Sequence, residues 1–196
     1  VRQLLASPAS GFSVHKFFND LRSQGVAVGK DALHSMLSWL EDTFLVRLVS
    51  IDSSSERQRQ VNPRKVYPVD PGLIPVFDRS GKANTGHALE TAVLIELERR
   101  RHQVAYGRTP NGKEVDFIAR DQDGKTVYIQ VCADLNTTEV CRREIEPLNE
   151  ILATKPKSHC LLLTLATTDV AIAQKFAPSG VTVKPAWEWL LEEVRE

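Results

Sequence analysis

The sequence predicts an α/β protein in which a small helical module with a β-hairpin precedes a larger domain built on a mixed sheet. Apolar residues first recur at the helical spacings of three and four, and after residue 100 they change to short runs separated by turns. The continuous apolar run Cys160–Leu165 is typical of a strand buried on both faces. A strand of that kind favours a sheet covered by helices.

Two amphipathic helices are predicted in the first module, residues 1–78. Ser13 is placed to cap the first helix and Gly25 to end it, and the second helix starts at Asp31. Their predicted core residues are Val14, Phe17, Phe18 and Leu21 in the first helix, and Leu33, Met36, Leu37 and Leu40 in the second. Residues 2–6 are expected to be the end of a helix that begins outside the sequence, so we expect the chain to be a fragment.

A hairpin with a long polar tip is predicted after these helices. Its strands are residues 44–49 and Val66–Tyr67, and its tip is residues 53–64. Two helices followed by a hairpin are the order of a winged-helix module, whose second helix can enter the major groove of DNA. Because 25 Lys and Arg balance 25 Asp and Glu, a nucleic-acid site would have to be local. The candidate phosphate-binding residues are Arg57, Arg59, Arg64 and Lys65.

A turn at residues 70–72 and a stretch without periodicity up to Asn84 predict a linker into the second domain, residues 79–196. Thr85 is expected to cap the first helix of that domain, and Trp187 to face inward from its last. The elements predicted after the first helix are strands at 104–106, 115–119 and 127–131, a helix at 142–152, a strand at 159–165, a helix at 170–176, an edge strand at 181–183 and a helix at 187–194.

Polar residues gather at one point of this pattern. Glu90 lies on the first helix, Glu114 and Asp116 start one strand, and Gln130 and Cys132 lie on the next. Because alternate residues of a strand share a face, these side chains are expected to point to one place. Carboxylate and amide oxygens suit Mg²⁺, which indicates metal-dependent cleavage of a phosphodiester. Such a hydrolase commonly also needs a lysine, and the site lacks this cation.

Other functions are disfavoured by composition. Three scattered cysteines and five histidines show no ligand spacing, so neither a zinc site nor a disulfide framework is expected, and a reducing cytoplasm is favoured. No apolar stretch is long enough to cross a membrane. The phosphate-binding pattern G-x-x-x-x-G-K-[ST] does not occur, so this stretch of chain is expected neither to bind nor to hydrolyse ATP.

Three motifs resemble the restriction-endonuclease-like domain of the PD-(D/E)XK superfamily: GHALE at 86–90, GKEVDF at 112–117 and YIQVC at 128–132. The chain is similar, over nearly its whole length, to the C-terminal region of a prokaryotic AAA-type ATPase family. Further segments that carry this second resemblance are 62–67, 70–73, 142–144 and 147–148.

The resemblance implies roles for four residues. Glu90 matches the acid on the helix, Asp116 the central metal-binding acid, and Gln130 the first position of (D/E/Q)-x-K, whereas Cys132 stands where the family has lysine. Glu90 and Asp116 would hold Mg²⁺ if the site were active.

We therefore expect a cytoplasmic accessory region with a degenerate nuclease-like site. The N-terminal ATPase domain of the parent chain would bind ATP and would be one partner, and DNA or another protein would be a second. One alternative is a metal-dependent DNA endonuclease in which Lys113 or Lys125 replaces the missing cation. The other alternative is a module that only binds proteins.

Overall fold

The computed structural model describes residues 1–5, 8–78 and 84–193. The chain forms two compact units, residues 1–83 and 84–196, and the predicted boundary after residue 78 lies beside this division. The fold is α/β, as predicted, with a three-stranded sheet in the first unit and a five-stranded sheet in the second. Among the described residues, no helix is both long and apolar enough to cross a membrane.

The first unit packs its helices against a small antiparallel sheet with strand order β1-β3-β2. Its elements are α1 (Arg2–Leu5), β1 (Gly11–Phe12), α2 (Val14–Ser23), α3 (Lys30–Asp42), β2 (Val46–Val49), α4 (Glu56–Val61), β3 (Arg64–Pro68), a 3₁₀ turn (Pro71–Leu73) and α5 (Ile74–Phe77). Ser13 caps α2 as predicted, because its hydroxyl accepts the backbone N–H of Lys16 at 3.3 Å. The two predicted helices and the paired strands of the hairpin are confirmed.

Several details of the first unit differ from the prediction. The tip of the hairpin contains the helix α4, capped by Ser55, instead of irregular chain. Residues 71–77 of the segment that we expected to be a linker form the 3₁₀ turn and α5, which buries Ile74, and residues 79–83 of that segment lie outside the described residues. Met36 is exposed and not part of the core. The inward face of α3 is defined by Leu33 and Leu37, which are four residues apart, and Met36 precedes Leu37 by one residue and therefore points about 100° away from it. The two-residue strand β1 was not predicted.

The second unit is a five-stranded mixed sheet in the order β4-β5-β6-β7-β8. Its elements are α6 (Thr85–Arg99), β4 (Gln103–Arg108), β5 (Glu114–Arg120), β6 (Thr126–Cys132), α7 (Thr138–Thr154), β7 (His159–Thr164), α8 (Thr167–Gln174), β8 (Val181–Pro185) and α9 (Ala186–Leu190). Neighbours from β4 to β6 are antiparallel, and those from β6 to β8 are parallel. As predicted, β7 is a buried interior strand and β8 an edge strand.

Helices cover both faces of this sheet. Helices α7 and α8 pack on the face that carries Tyr128 and Leu162. Helices α6 and α9 border the opposite face, where the alternate residues Ile129 and Leu161 lie. The sheet is therefore buried on both sides, as its apolar strands require.

The start of α6 and the inward face of α9 differ from the prediction. Asn84, and not Thr85, occupies the N-cap position of α6, and Thr85 is the first residue of the helix. Strand β8 is longer than predicted and continues to Pro185. Helix α9 follows directly and starts at Ala186, one residue before the predicted position. One residue turns a helix by about 100°, and the inward residue is Trp189, 6% exposed, whereas Trp187 is 52% exposed. The sequence also predicts that Leu191 and Val194 face inward; Leu191 is instead exposed, and Val194 lies outside the described residues.

Candidate functional site

The central feature of the second unit is a fork between β5 and β6. Their backbone ladder runs from the pair Arg120–Thr126 to the pair Phe117–Ile129 and stops there. Beyond that point β5 continues with β4 only, and β6 continues beside β7 as far as Cys132. The sheet thus divides at the position of Asp116 and Gln130, and we call this point the fork.

A β-bulge in β5 adds to the distortion. The register with β4 shifts between Ala105, opposite Ile118, and Gly107, opposite Val115, so β5 has one extra residue. As a result, Val115 and Ile118 both belong to the core beneath α7 although they are three residues apart. Bulges of this kind re-aim side chains and are frequent next to functional sites. The bulge interrupts the strict alternation from which we predicted the direction of Asp116.

Side chains replace the missing backbone ladder at the fork. One carboxylate oxygen of Asp116 accepts the backbone N–H of Val131 at 3.0 Å. In return, the backbone N–H of Asp116 donates to the Oε1 atom of Gln130 at 3.4 Å. Asp116 and Gln130 are both buried. The structure therefore brings these two predicted site residues together and uses both to close the fork.

Helix α7 extends this network with two residues that the strand pattern did not reveal. The Nε2 atom of Gln130 donates to Glu144 at 3.2 Å, and the Nη2 atom of Arg143 donates to the other oxygen of Glu144 at 2.7 Å. Glu144 is mostly buried, while the side chain of Arg143 is largely exposed. Their positions follow from how α7 packs on the sheet. The only sequence signal for them was the resemblance over residues 142–144.

Cys132 lies on the same face of β6 as Gln130, as predicted, but it cannot supply a positive charge. Its thiol donates to the carbonyl oxygen of Asp134 at 3.3 Å. Burial raises the pKa of the thiol to about 12, and the nearby Glu144 carboxylate acts in the same direction. The thiol is therefore neutral at physiological pH and behaves as a small apolar group.

Two further candidates for the predicted nuclease site are Glu90 and Lys113. Glu90 is half-buried in the second turn of α6. Lys113 forms ion pairs with Glu146 and, at 3.7 Å, with Glu150 on α7. In the ranges 1–5, 8–78 and 84–193, no three His, Cys, Asp or Glu side chains are grouped so that they could hold a metal ion.

The second replacement cation, Lys125, does not point into the fork either. It lies in the exposed turn between β5 and β6 and pairs with Asp123 at 3.5 Å. That turn is at the opposite end of the two strands from Asp116.

The predicted phosphate-binding residues of the first unit do not form one basic surface. Arg57 and Arg59 project from α4, and Arg59 forms an ion pair with Glu56. Arg64 is half-buried, and Lys65 is only 2% exposed within β3. Lys65 is therefore withdrawn from the candidate interface, because its position in the central strand of the small sheet keeps it from contacting a phosphate.

The exposed face of α3 carries apolar side chains instead. Met36 and Trp39 are three residues apart and share this face, and Trp39 is 62% exposed. Phe44 follows at the end of the helix, 64% exposed, with the Arg47 guanidinium 5.4 Å from its ring centroid. We call Met36, Trp39 and Phe44 the apolar patch.

Phe44 also has an unfavourable backbone conformation. Its φ is +57°, in the left-handed region that glycine prefers. It ends α3, since Phe44 N–H donates to the carbonyl of Glu41 at 2.9 Å and Leu45 N–H to that of Leu40 at 3.0 Å. A large, mostly exposed apolar residue thus occupies a backbone position that glycine would adopt with less strain.

Comparison with known families matches residues 85–188, just over half of the chain, to a domain of unknown function, DUF4143. The matched region begins with α6 and ends within α9, so it contains the whole five-stranded sheet and the fork. No curated protein and no solved structure matches the chain.

Proposed function

Since the chain belongs to the DUF4143 family, we propose that it is the accessory C-terminal region of an AAA-type ATPase, with a nuclease-like domain that does not cleave DNA. Its task is to recognise a partner for the ATPase. The order helix, three antiparallel strands, helix, parallel strand in the second unit supports the restriction-endonuclease-like part of this proposal. The order of helices and strands in the first unit supports a winged helix.

One observation carries the proposal that the site is inactive. At the fork, an oxygen of Asp116 accepts a backbone N–H, and the amide of Gln130 lies between Asp116 and Glu144. Asp116, which the resemblance assigns to a metal ion, and Gln130, the first position of the family's (D/E/Q)-x-K motif, therefore both bond to polar groups of the chain itself. Next to them, Cys132 is a neutral thiol where the family has lysine. This arrangement favours a structural role over hydrolysis.

Neither replacement lysine supports the endonuclease alternative. Lys113 has its pKa raised by a hydrogen bond to Glu146, which holds its ammonium at α7. Lys125 is exposed at the far turn. The charge of Arg143 acts on Cys132, but its guanidinium already pairs with Glu144.

A cleavage assay tests the inactive site. Supercoiled plasmid is incubated with the purified chain and Mg²⁺ or Mn²⁺, and we expect no nicking above that given by the Asp116→Asn variant. We also expect no nicking by Cys132→Lys. A lysine at this position restores the cation, but Asp116 and Gln130 stay bonded to the chain's own polar groups. Metal-dependent nicking by the wild type that is lost in Asp116→Asn and kept in Cys132→Ser would establish the endonuclease alternative.

Within the proposed function, the first unit favours a protein partner over DNA. Groove-reading helices present Arg, Lys, Asn or Gln to base edges, whereas α3 has only Lys30 of these types, at its first position, and also exposes the apolar side chains of Met36 and Trp39. Its C-terminal end adds Asp42, which repels phosphate, and Phe44. The parent ATPase domain is the partner that we propose for the apolar patch.

Site-specific photo-crosslinking in the parent ATPase tests this choice. A photoreactive residue replaces Ala32, which is exposed on α3 and lies one turn before Met36 on the same face, and a matched control replaces Gln60 on α4. We expect crosslinks from position 32 to the ATPase domain and few from position 60. Crosslinking of position 60 to duplex DNA, with none from position 32 to protein, would favour the DNA-binding alternative through Arg57 and Arg64.

A further inference from the structure

A groove lies at the end of the sheet opposite the fork, and we call it the basal groove. It is bounded by the end of α6, by α9 and by the starting residues of β6, β7 and β8. Its volume is about 570 Å³. This is within the range of roughly 300–1,000 Å³ that is usual for small-molecule sites. The groove shares no residue with the network around Asp116 and Gln130.

The floor of the basal groove is apolar. It is formed by Leu97 from α6, Ile129 and Leu161 from the sheet, and Trp189 from α9. The Trp189 ring is held in place by the Arg100 guanidinium, 4.4 Å from its centroid, and Arg100 is fixed in turn by Glu96 at 2.6 Å. A rigid apolar floor of this kind suits a ligand with an apolar body.

The rim of the basal groove offers one cation that is available to a ligand. Four Lys or Arg side chains line the rim, and three of them are in ion pairs: Arg100 with Glu96, Lys125 with Asp123, and Lys184 with Glu192. The other rim carboxylate, Asp121, accepts the backbone N–H of Lys125 at 2.8 Å. Lys157, the fourth cation, presents an exposed ammonium to the groove. The rim therefore favours an anionic group.

A buried polar atom in the basal groove lacks a partner within the described part of the chain. It is the Nδ1 atom of His102. The backbone of His102 is held in place because its N–H donates to the carbonyl oxygen of Leu97 at 3.0 Å. The preceding residue, Arg101, turns the chain with a φ of +59°. Buried polar atoms in folded proteins are nearly always hydrogen-bonded. A ligand group that bonds to this ring nitrogen would satisfy it.

We propose that the basal groove binds an organic anion, in which an apolar body lies on the floor and a phosphate or carboxylate group contacts the Lys157 ammonium and the His102 ring. The proposal does not depend on the function of the fork or of the apolar patch. It predicts a binding site at the end of the sheet opposite the fork, for which the sequence motifs gave no indication.

Calorimetry with two probes tests the proposal on the 196-residue chain. The probes are 1-naphthyl phosphate, an aromatic phosphate, and decanoate, an aliphatic carboxylate, with inorganic phosphate as a third ligand that has no apolar body. Saturable 1:1 binding of one or both organic probes, with much weaker binding of inorganic phosphate, is the expected result. The probe that binds more tightly shows which combination of apolar body and anionic group the groove prefers.

Two variants locate the site. We expect Lys157→Gln and His102→Phe each to raise the Kd about fivefold or more, because each removes one polar contact to the anion. Lys175→Gln, which removes an exposed ammonium outside the groove, should leave the Kd unchanged. Lys157 is exposed, so its replacement tests the proposal even if His102→Phe does not fold. Absence of saturable binding, equal binding of inorganic phosphate, or a Kd that neither groove variant changes would overturn the proposal.

Discussion

Replacing Asp116 by alanine should destabilise the second unit even though no ligand is present. The carboxylate of Asp116 is the acceptor for the Val131 N–H at 3.0 Å, and both residues are buried. A buried donor left without an acceptor costs about 1–3 kcal/mol. Relief from burying a charge offsets part of this cost. We expect a net loss of about 2 kcal/mol for Asp116→Ala, and a loss below about 1 kcal/mol for Asp116→Asn, whose amide oxygen can still accept.

The opposite result is expected for a carboxylate kept only for catalysis. Groups poised to bind a metal or substrate commonly reduce stability, so that their removal stabilises the fold. The sign of the change in the free energy of unfolding therefore distinguishes a residue that closes the fork from one that waits for a ligand. This test requires no knowledge of substrate.

Urea unfolding followed by tryptophan fluorescence measures the effect. Because the chain has two compact units, the measurement is made in a Trp39→Phe background, where only Trp187 and Trp189 report and both lie in the second unit. Asp123→Ala, a change in an exposed turn, is the matched control and should have almost no effect. If Asp116→Ala is as stable as the control, or more stable, the structural role of Asp116 is refuted.

Three further predictions concern stability. Phe44→Gly should be about 1 kcal/mol more stable than Phe44→Ala in urea unfolding of the first unit, since only glycine relieves a φ of +57°; equal stability of the two would contradict the assigned strain. Burial raises the pKa of Cys132 from an ordinary 9.0 to about 12, so the unfolded state ionises first as the pH rises above 9.0. Between pH 8 and pH 10 the wild type should lose about 1 kcal/mol more stability than Cys132→Ala, and equal losses would show that the thiol is not held neutral. Glu96→Gln should cost about 2 kcal/mol at pH 7, because the mostly buried carboxylate accepts hydrogen bonds from two arginines. Those bonds, chiefly the one from Arg99, hold the pKa of Glu96 below its ordinary 4.5, so this stabilisation is present above pH 4.5 and should shrink as the pH falls through the lower folded pKa; a cost that stays constant down to pH 3 would argue against the ion pair.

Local patterns in the sequence predicted the frame of the fold well. The strands β4 to β8 and the crossover helix α7 were placed to within a few residues, because apolar runs and turn residues mark them. The two-residue period of neighbouring strands predicted that Asp116 and Gln130 would be close, but the bulge in β5 breaks that period, so their contact depends also on how the sheet divides at the fork. Local periodicity was enough wherever an element buries one regular face.

Tertiary packing decided the details that the sequence did not predict. Glu144 reaches Gln130 only because of how α7 lies on the sheet, which no local period encodes. Trp189 and not Trp187 faces inward, because packing places the buried face of α9 at Ala186 and Trp189, one position earlier than predicted and so about 100° around the helix. The burial of Lys65 likewise depends on β3 being the central strand of the small sheet, between β1 and β2.

The fork has a consequence for the solubility of the second unit. Where β5 and β6 separate, each strand has an edge inside the sheet, and an unpaired strand edge is a template on which another chain can add and aggregate. Asp116 occupies one of these inner edges and Gln130 the other, and each side chain covers the backbone group that an incoming strand would need. We therefore expect polar residues at the fork to protect the sheet from strand invasion.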